Sequence, residues 1–158
     1  MRVLGIDPGS HITGFAVLDN CDRSLVYVDS GVVRLNGALE FRLHQLSQAI
    51  DEIVNEYQPE SAAIETAFMH RNARALMVLC HARGVILQSV VKHQVPITHY
   101  EPKLVKKTVV GTGGAKKGQV GFMVQHLLNI KRTLAEDAAD AAAVAITHLH
   151  CMQKKEEV

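Results

Sequence analysis

The sequence predicts an α/β protein built on a mixed five-stranded sheet, with three antiparallel strands followed by two parallel strands, flanked by helices. Three observations point to this class. The N-terminal part holds β-rich segments separated by turns, the rest alternates helical and β-like segments, and 158 residues, 47% of them hydrophobic, can bury a real core. We expect one domain over residues 1–158, with the last few residues forming a flexible tail.

The N-terminal segments predict the three antiparallel strands. Arg2–Ile6 is a β-rich run that stops at a turn signal in residues 7–10, and Ile12–Leu18 resumes with apolar residues. Ser24–Leu35 is another β-rich stretch. These segments therefore form the first unit of the sheet.

A helix and a buried strand come next. Apolar residues recur at helical spacing from Leu43 to Tyr57, and Pro59 ends the pattern. Ser61–Glu65 is short and almost uniformly apolar, which is typical of a central strand in a parallel arrangement. We expect the helix to cover one face of the sheet.

The segment from Ala73 to about Val91, capped by Asn72, predicts a long helix that is apolar on nearly all sides. One contact with the sheet would not cover both of its apolar surfaces. We therefore expect a homodimer packed partly through this helix, although a central helix of the domain would explain the same pattern. One stripe comprises Cys80, Gly84, Leu87 and Val91, and Met77, Val78, Val85 and Ile86 lie off it.

The C-terminal half predicts a fifth strand and three helices. Pro96–Tyr100 is the strand, Lys103–Val110 a short helix with Lys103, Lys106 and Lys107 on one side, and Asp137 to about Gln153 the last helix. A further amphipathic helix begins near Lys117. Its expected apolar face comprises Val120, Met123, Val124, Leu127 and Leu128.

Charge is distributed unevenly along the chain. Residues 1–65 carry ten acids and four bases, whereas residues 103–135 carry seven bases and no acid, although the net charge is only +1. A basic face is compatible with nucleic acid, but such runs are usually solvated surface.

No apolar run approaches the roughly 18 residues of a membrane span, and the N-terminus lacks a signal-peptide pattern, so we expect a cytoplasmic protein. The scattered cysteines indicate free thiols, and the C-terminal histidines indicate the end of a helix.

Four acids are candidate metal ligands. Asp7 and Glu65 end predicted central strands, and Asp137 and Asp140 lie three apart at a helix start, hence on one face. If they converge, like charges about 4 Å apart repel by about 4 kcal/mol at an effective dielectric near 20, a penalty that a cation removes. Carboxylate oxygens favour Mg²⁺, with Mn²⁺ as a substitute, and a pair of ions suits hydrolysis of a phosphodiester to a 5′-phosphate and a 3′-hydroxyl.

Taken singly, each acid has a structural explanation. Asp7 suits a turn, Glu65 a strand end, and Asp137 and Asp140 the start of a helix. Asp7 between two glycines is also similar to the phosphate-binding strand of actin-like kinases. Those enzymes need two lobes, and 158 residues supply one.

Five ordered segments span nearly the whole chain: Gly5–Ser10 with Thr13-Gly14, Ala63–Glu65 with Ala67–Met69, Ala82–Gly84, Val105–Gly111, and Asp137–Ala141. Together they resemble the RuvC family of Holliday-junction resolvases. The resemblance implies a ribonuclease-H-like fold and a homodimer that nicks a four-way DNA junction symmetrically, with one acidic site per subunit. The chain departs from the family pattern at Cys80 and His81 and lacks a longer basic tail.

The resemblance also implies roles for individual residues. Asp7, Glu65, Asp137 and Asp140 fall on its catalytic, metal-binding positions. Phe68 falls on an aromatic that stacks on junction bases, and Lys106 and Lys117 fall on lysines near the DNA backbone. A RuvAB-like branch-migration complex is the implied partner. Position in the sequence adds further candidates for DNA binding: Arg71, Arg74, Lys107 and Lys116.

Two alternatives remain. A ribonuclease acting on RNA–DNA hybrids would have the same fold. The second alternative is a junction-binding protein without activity; the loss of any of the four acids would favour it, and all four are present.

Overall fold

The structure is a computed structural model that describes residues 1–22, 24–66 and 72–156, without the side chains of Lys117, Lys155 and Glu156. The described strands are β1 (Arg2–Asp7), β2 (Ile12–Cys21), β3 (Ser24–Arg34), β4 (Ser61–Glu65) and β5 (Ile97–Tyr100). The helices are α1 (Leu39–Tyr57), α2 (Ala73–Lys92), α3 (Pro102–Val110), α4 (Lys117–Leu127) and α5 (Glu136–Glu156).

The predicted mixed sheet is confirmed. Its strand order is β3-β2-β1-β4-β5. The first three strands are antiparallel neighbours, whereas β4 runs parallel to both β1 and β5. The parallel part therefore lies at the centre and one edge, and the carboxyl ends of β1 and β4 face the same way.

Helices cover the sheet on both faces because the side chains of β1 alternate between two cores. Leu4 and Ile6 pack in a core with residues of α1 and α2, whereas Val3 packs with residues of α3, α4 and α5. The second core also includes alanines of α5, such as Ala142 and Ala145. Their small side chains let this helix lie close to the strands.

Two glycines of the hairpin allow the close approach of α5. A Cβ atom built on Gly5 would lie 2.1 Å from the carbonyl oxygen of Ala141, and one on Gly14 would lie 1.9 Å from that of Asp137. Both neighbours are main-chain atoms, which cannot move aside as a side chain can. Gly5 and Gly14 thus allow the first turns of α5 to lie directly against the hairpin.

Several helix predictions need refinement. The amide groups of Arg74 and Ala75 donate to Asn72 Oδ1, which confirms the predicted N-cap of α2. Leu127 is 41% exposed, so the predicted core face of α4 wrongly included it. Helix α5 continues beyond Gln153 to Glu156, and residues 157–158 of the predicted tail lie outside the described part.

Helix α2 is long and apolar. In the described part of the chain it is the one helix that meets the length and composition of a membrane span, a test that a core helix of a globular protein can also pass. Within this protomer the helix buries only Ala82, Ile86, Ser89 and Val90. Its remaining apolar surface is therefore available to something other than the sheet.

Candidate active site

Two of the predicted acids are neighbours at the ends of adjacent parallel strands. Asp7 is the last residue of β1 and Glu65 the last of β4, and the strands run in register with Ile6 opposite Ile64. Both carboxylates therefore leave the same face of the sheet. That face is the one covered by α5, because Gly5 lies two residues before Asp7 and directly against this helix.

Asp140, in the second turn of α5, completes a cleft of about 190 Å³ with these two acids. The cleft has a cation in its wall, Lys106 of α3, beside apolar residues of three helices. The structure thus brings three of the four predicted acids around one cleft. Its described lining is Asp7, Glu65, Pro102, Val105, Lys106, Val120, Asp140 and Ala143.

Asp137, the fourth predicted acid, lies in the first turn of α5 and does not line this cleft. Its carbonyl oxygen lies so close to Gly14 that a Cβ atom there would be 1.9 Å away. Gly14 pairs with Asp7 across the hairpin. Asp137 is partly exposed. Its main chain therefore lies against β2, about one helical turn before Asp140.

The acids of the cleft fit a hard divalent cation. Three carboxylates supply oxygen ligands, which Mg²⁺ and Mn²⁺ prefer, and the cleft leaves space for water or phosphate. Among the described residues, no three Asp, Glu, His or Cys side chains are already arranged to ligate one ion.

The turn after β1 is fixed by hydrogen bonds from two directions. Thr13 Oγ1 donates to the carbonyl of Gly9 and accepts from its amide, at 3.1 and 3.2 Å. From α1, the buried Arg42 donates through Nη1 to the carbonyl of Ser10. These contacts hold the segment that directly follows Asp7.

Arg83 of α2 holds the end of β4. Its Nη1 donates to the main-chain carbonyl of Glu65, and its Nη2 lies 3.2 Å from His99 Nδ1 on β5. Burial lowers the pKa of the guanidinium, an effect that the nearby charges of Cys80 and Glu65 oppose. Arginine nevertheless stays cationic under ordinary conditions, so a positive charge lies beside the acid of β4.

The predicted DNA-binding residues have different positions. Lys106 lines the cleft, whereas Arg74, Lys107 and Lys116 are exposed. Phe68 and Arg71 lie outside the described residues, as does the side chain of Lys117.

Sequence reasoning missed the supporting roles of Arg42 and Arg83. A signal existed for Arg42, because it stands four and eight residues before the core positions Leu46 and Ile50. A cation at a core position indicates a buried partner. Arg83 is one of several polar residues of α2, and its partner is a main-chain carbonyl group, which leaves no trace in the sequence.

Comparisons with known proteins agree on one family. The family model described as crossover junction endodeoxyribonuclease RuvC matches residues 3–148. A protein of that name from Legionella pneumophila (strain Lens) is 43% identical over 150 residues, covering 94% of this chain and 86% of the relative. One from Dichelobacter nodosus is 46% identical over 153 residues, covering 96% and 87%.

Solved structures agree as well. The structure described as Thermus thermophilus RuvC in complex with Holliday junction substrate superposes with a TM-score of 0.91 at 28% identity, covering 98% of this chain and 96% of that one. The fold is therefore the ribonuclease-H-like fold of RuvC.

Proposed function

The chain belongs to the RuvC family of crossover junction endodeoxyribonucleases, and we propose that it resolves four-way Holliday junctions by paired, symmetric nicks in recombination and repair. The observation that carries this proposal is the cleft in which Asp7, Glu65 and Asp140 meet. A cluster of carboxylates with an open cleft suits phosphodiester hydrolysis rather than passive binding. The chain is thus a hydrolytic endonuclease.

The four acids hold the catalytic metal. Asp7, Glu65 and Asp140 line the cleft, and Asp137 lies three residues before Asp140 on α5, with its main chain against β2. We propose Mg²⁺ as the cofactor, replaceable by Mn²⁺, with two ions per site. When bound, these ions supply activation of the attacking water and stabilisation of the leaving oxygen. The products are a 5′-phosphate and a 3′-hydroxyl.

Lys106 contributes to the cleft in a different way. Its side chain lines the same cleft as the three acids, where an ammonium group can bind a phosphate oxygen of the substrate. The neighbouring lysine, Lys107, is exposed one position further along α3. We propose that α3 follows the DNA backbone from the cleft outwards, with Arg71, Arg74, Lys116 and Lys117 as further phosphate contacts.

Phe68 is proposed to stack on an unpaired base of the junction. It follows Glu65 by three residues in the chain. Stacking of a base on an aromatic ring contributes about 1–3 kcal/mol and does not depend on sequence. Such a contact would favour a distorted junction over plain duplex.

A homodimer through α2 is supported by the apolar surface that this helix leaves exposed. Met77 is 64% and Val91 59% exposed, and Cys80 and Gly84 are also exposed. A continuous apolar surface of this kind indicates a protein contact. Two subunits related by a twofold axis would present two clefts to two strands of like polarity, as paired nicking requires.

The remaining proposals rest on family membership. We propose that a RuvAB-like branch-migration complex is the partner and that the protein acts in the cytoplasm. The names of the relatives favour the junction over an RNA–DNA hybrid as substrate.

A strand-mapped cleavage assay tests the function. Purified protein with Mg²⁺ is given a synthetic four-way junction, the corresponding duplex and an RNA–DNA hybrid. We expect paired nicks at symmetric positions in the junction and intact duplex and hybrid. Preferential cleavage of the hybrid, or no cleavage of any substrate with either metal, would contradict the proposal.

A further inference from the structure

A second groove adjoins the acid cleft. It has a volume of about 320 Å³ and lies between α4 and the start of α5. Asp140 lines both this groove and the acid cleft, so the two are continuous through one carboxylate. Apart from Asp140, none of the residues that line this groove has a role in the proposals above.

The side of the groove formed by α4 carries an exposed aromatic ring. Phe122 is 69% exposed, the highest value among the large apolar side chains of the described residues. The core side of α4 is formed by Val120, Val124 and Leu128, at four-residue spacing. Phe122 lies two residues after Val120, which places it on the opposite side of the helix. Packing within the protomer therefore does not account for this ring.

Two glycines leave space on α4 next to the ring. They are Gly118, four residues before Phe122, and Gly121, four residues before Gln125. Both glycines and Gln125 line the same groove as Phe122. Glycine weakens a helix, yet neither of these two has a positive φ angle. A Cβ on Gly118 would meet no described atom within 4 Å, and one on Gly121 only the Ala139 side chain at 3.9 Å. The fold does not require either glycine.

We propose that this groove binds the base of a nucleotide next to the scissile phosphate, with Phe122 stacking on it. The inference rests on the proposed junction cleavage, because that phosphate would be bound by the metal ions that the acids at the shared end of the groove are proposed to hold. A base has a flat apolar face for the ring and polar edges for the amide of Gln125. Exposed cations stand beyond both ends of α4, at Lys116 and Lys131, as a DNA strand crossing the helix would require.

Single-turnover cleavage with abasic substitutions tests this contact. A junction is prepared with one abasic site, placed in turn at each nucleotide around the nick. For the wild-type protein, one position should slow cleavage by roughly 5- to 100-fold, the range expected for loss of one base-aromatic contact. Phe122→Ala should slow cleavage of the intact junction by a similar factor and show no further loss at that position.

Two further variants separate stacking from folding. Gly118→Leu fills the groove next to the ring and should give the same loss of base sensitivity, yet a higher Tm because leucine favours the helix. Leu127→Ala removes another exposed apolar side chain of α4 that faces a different cleft and should keep the wild-type pattern. If both groove variants retain the abasic sensitivity of the wild type, the inference is wrong. If the wild type cleaves no junction at all, the proposed function fails instead.

Discussion

The guanidinium of Arg83, on α2, donates a hydrogen bond to the main-chain carbonyl of Glu65 at the end of β4. A residue of the helix proposed to form the dimer thus holds the strand end that carries one acid of the cleft. The side chain of Glu65 can then turn towards the cleft while its main chain is fixed from the opposite side. Arg83 is therefore a positioning residue.

Replacing Arg83 with Ala should reduce cleavage because the strand end loses its support. Contacts of this kind are worth about 10–100-fold in metal affinity or activity. The readout is the Mg²⁺ concentration that gives half-maximal single-turnover cleavage, which should rise. Arg83→Lys should recover only part of the loss, since an ammonium lacks the second donor that reaches His99.

A control for this experiment is Lys92→Ala. Lys92 is a cation of the same helix that pairs with Asp51 on α1. Neither residue lines the acid cleft. An unchanged metal requirement is expected. If Arg83→Ala also leaves the metal requirement unchanged, Arg83 does not position Glu65.

Gly5→Ala tests the close approach of α5 to β1. The added methyl group would lie 2.1 Å from the carbonyl oxygen of Ala141, so helix and strand must separate. Overpacking of a core costs about 1–3 kcal/mol in the free energy of unfolding. Because Asp140 precedes Ala141, cleavage should fall as well. Urea unfolding and a cleavage assay on the same sample measure both effects.

The matched variant is Gly118→Ala, where the structure leaves open space for a methyl group among the described residues. It should keep or raise the free energy of unfolding. Equal stability of Gly5→Ala and the wild type would mean that α5 is not packed against β1 as described.

Gly84→Leu tests the dimer contact of α2. Gly84 is exposed, and a Cβ there would meet no described atom of its own protomer within 4 Å. Leucine should therefore strengthen the helix in an isolated subunit, by up to about 1 kcal/mol. If α2 packs against a second copy, the same side chain should obstruct the contact and weaken the dimer. Sedimentation velocity over a range of concentrations measures the association.

Val26→Ser is the control for surface apolarity, since Val26 is 42% exposed on β3, a strand at the far edge of the sheet. It should leave the association unchanged. A Gly84→Leu protein that associates as strongly as the wild type would place the dimer contact elsewhere.

The sequence predicted the elements well because their patterns are local. Ser61–Glu65 was recognised from its uniform apolarity, and the N-cap at Asn72 from residue type alone. The register of β1 and β4, which makes Asp7 and Glu65 neighbours, depends on pairing between distant segments. From the sequence, only the family resemblance implied that Asp7 and Glu65 lie close together.

Other features had no reliable local signal. The C-terminal histidines indicate a helix end, but one of them, His148, is buried between Ser61 and Tyr100 and hydrogen-bonded to both, because α5 continues past it. Asp137 and Asp140 were expected to share one face at the cleft, whereas only Asp140 lines it. Whether a helix residue reaches the cleft depends on the angle and depth at which the helix packs on the sheet. The spacing of residues along the helix does not determine that angle or depth.

The most direct test of the central claim, that the acids form one metal site, compares Asp7→Asn with the wild type in a thermal melt with and without Mg²⁺ and in junction cleavage. The repulsion relieved is about 1 kcal/mol for charges about 4 Å apart in bulk water and about 4 kcal/mol at an effective dielectric near 20. In metal-free buffer the variant should therefore melt at least roughly 2–4 °C higher, the shift expected for about 1 kcal/mol in a domain of this size. Mg²⁺ should raise the Tm of the wild type only, and the variant should not nick the junction. A variant that melts no higher without metal, gains as much from Mg²⁺ as the wild type and still cleaves would contradict the account.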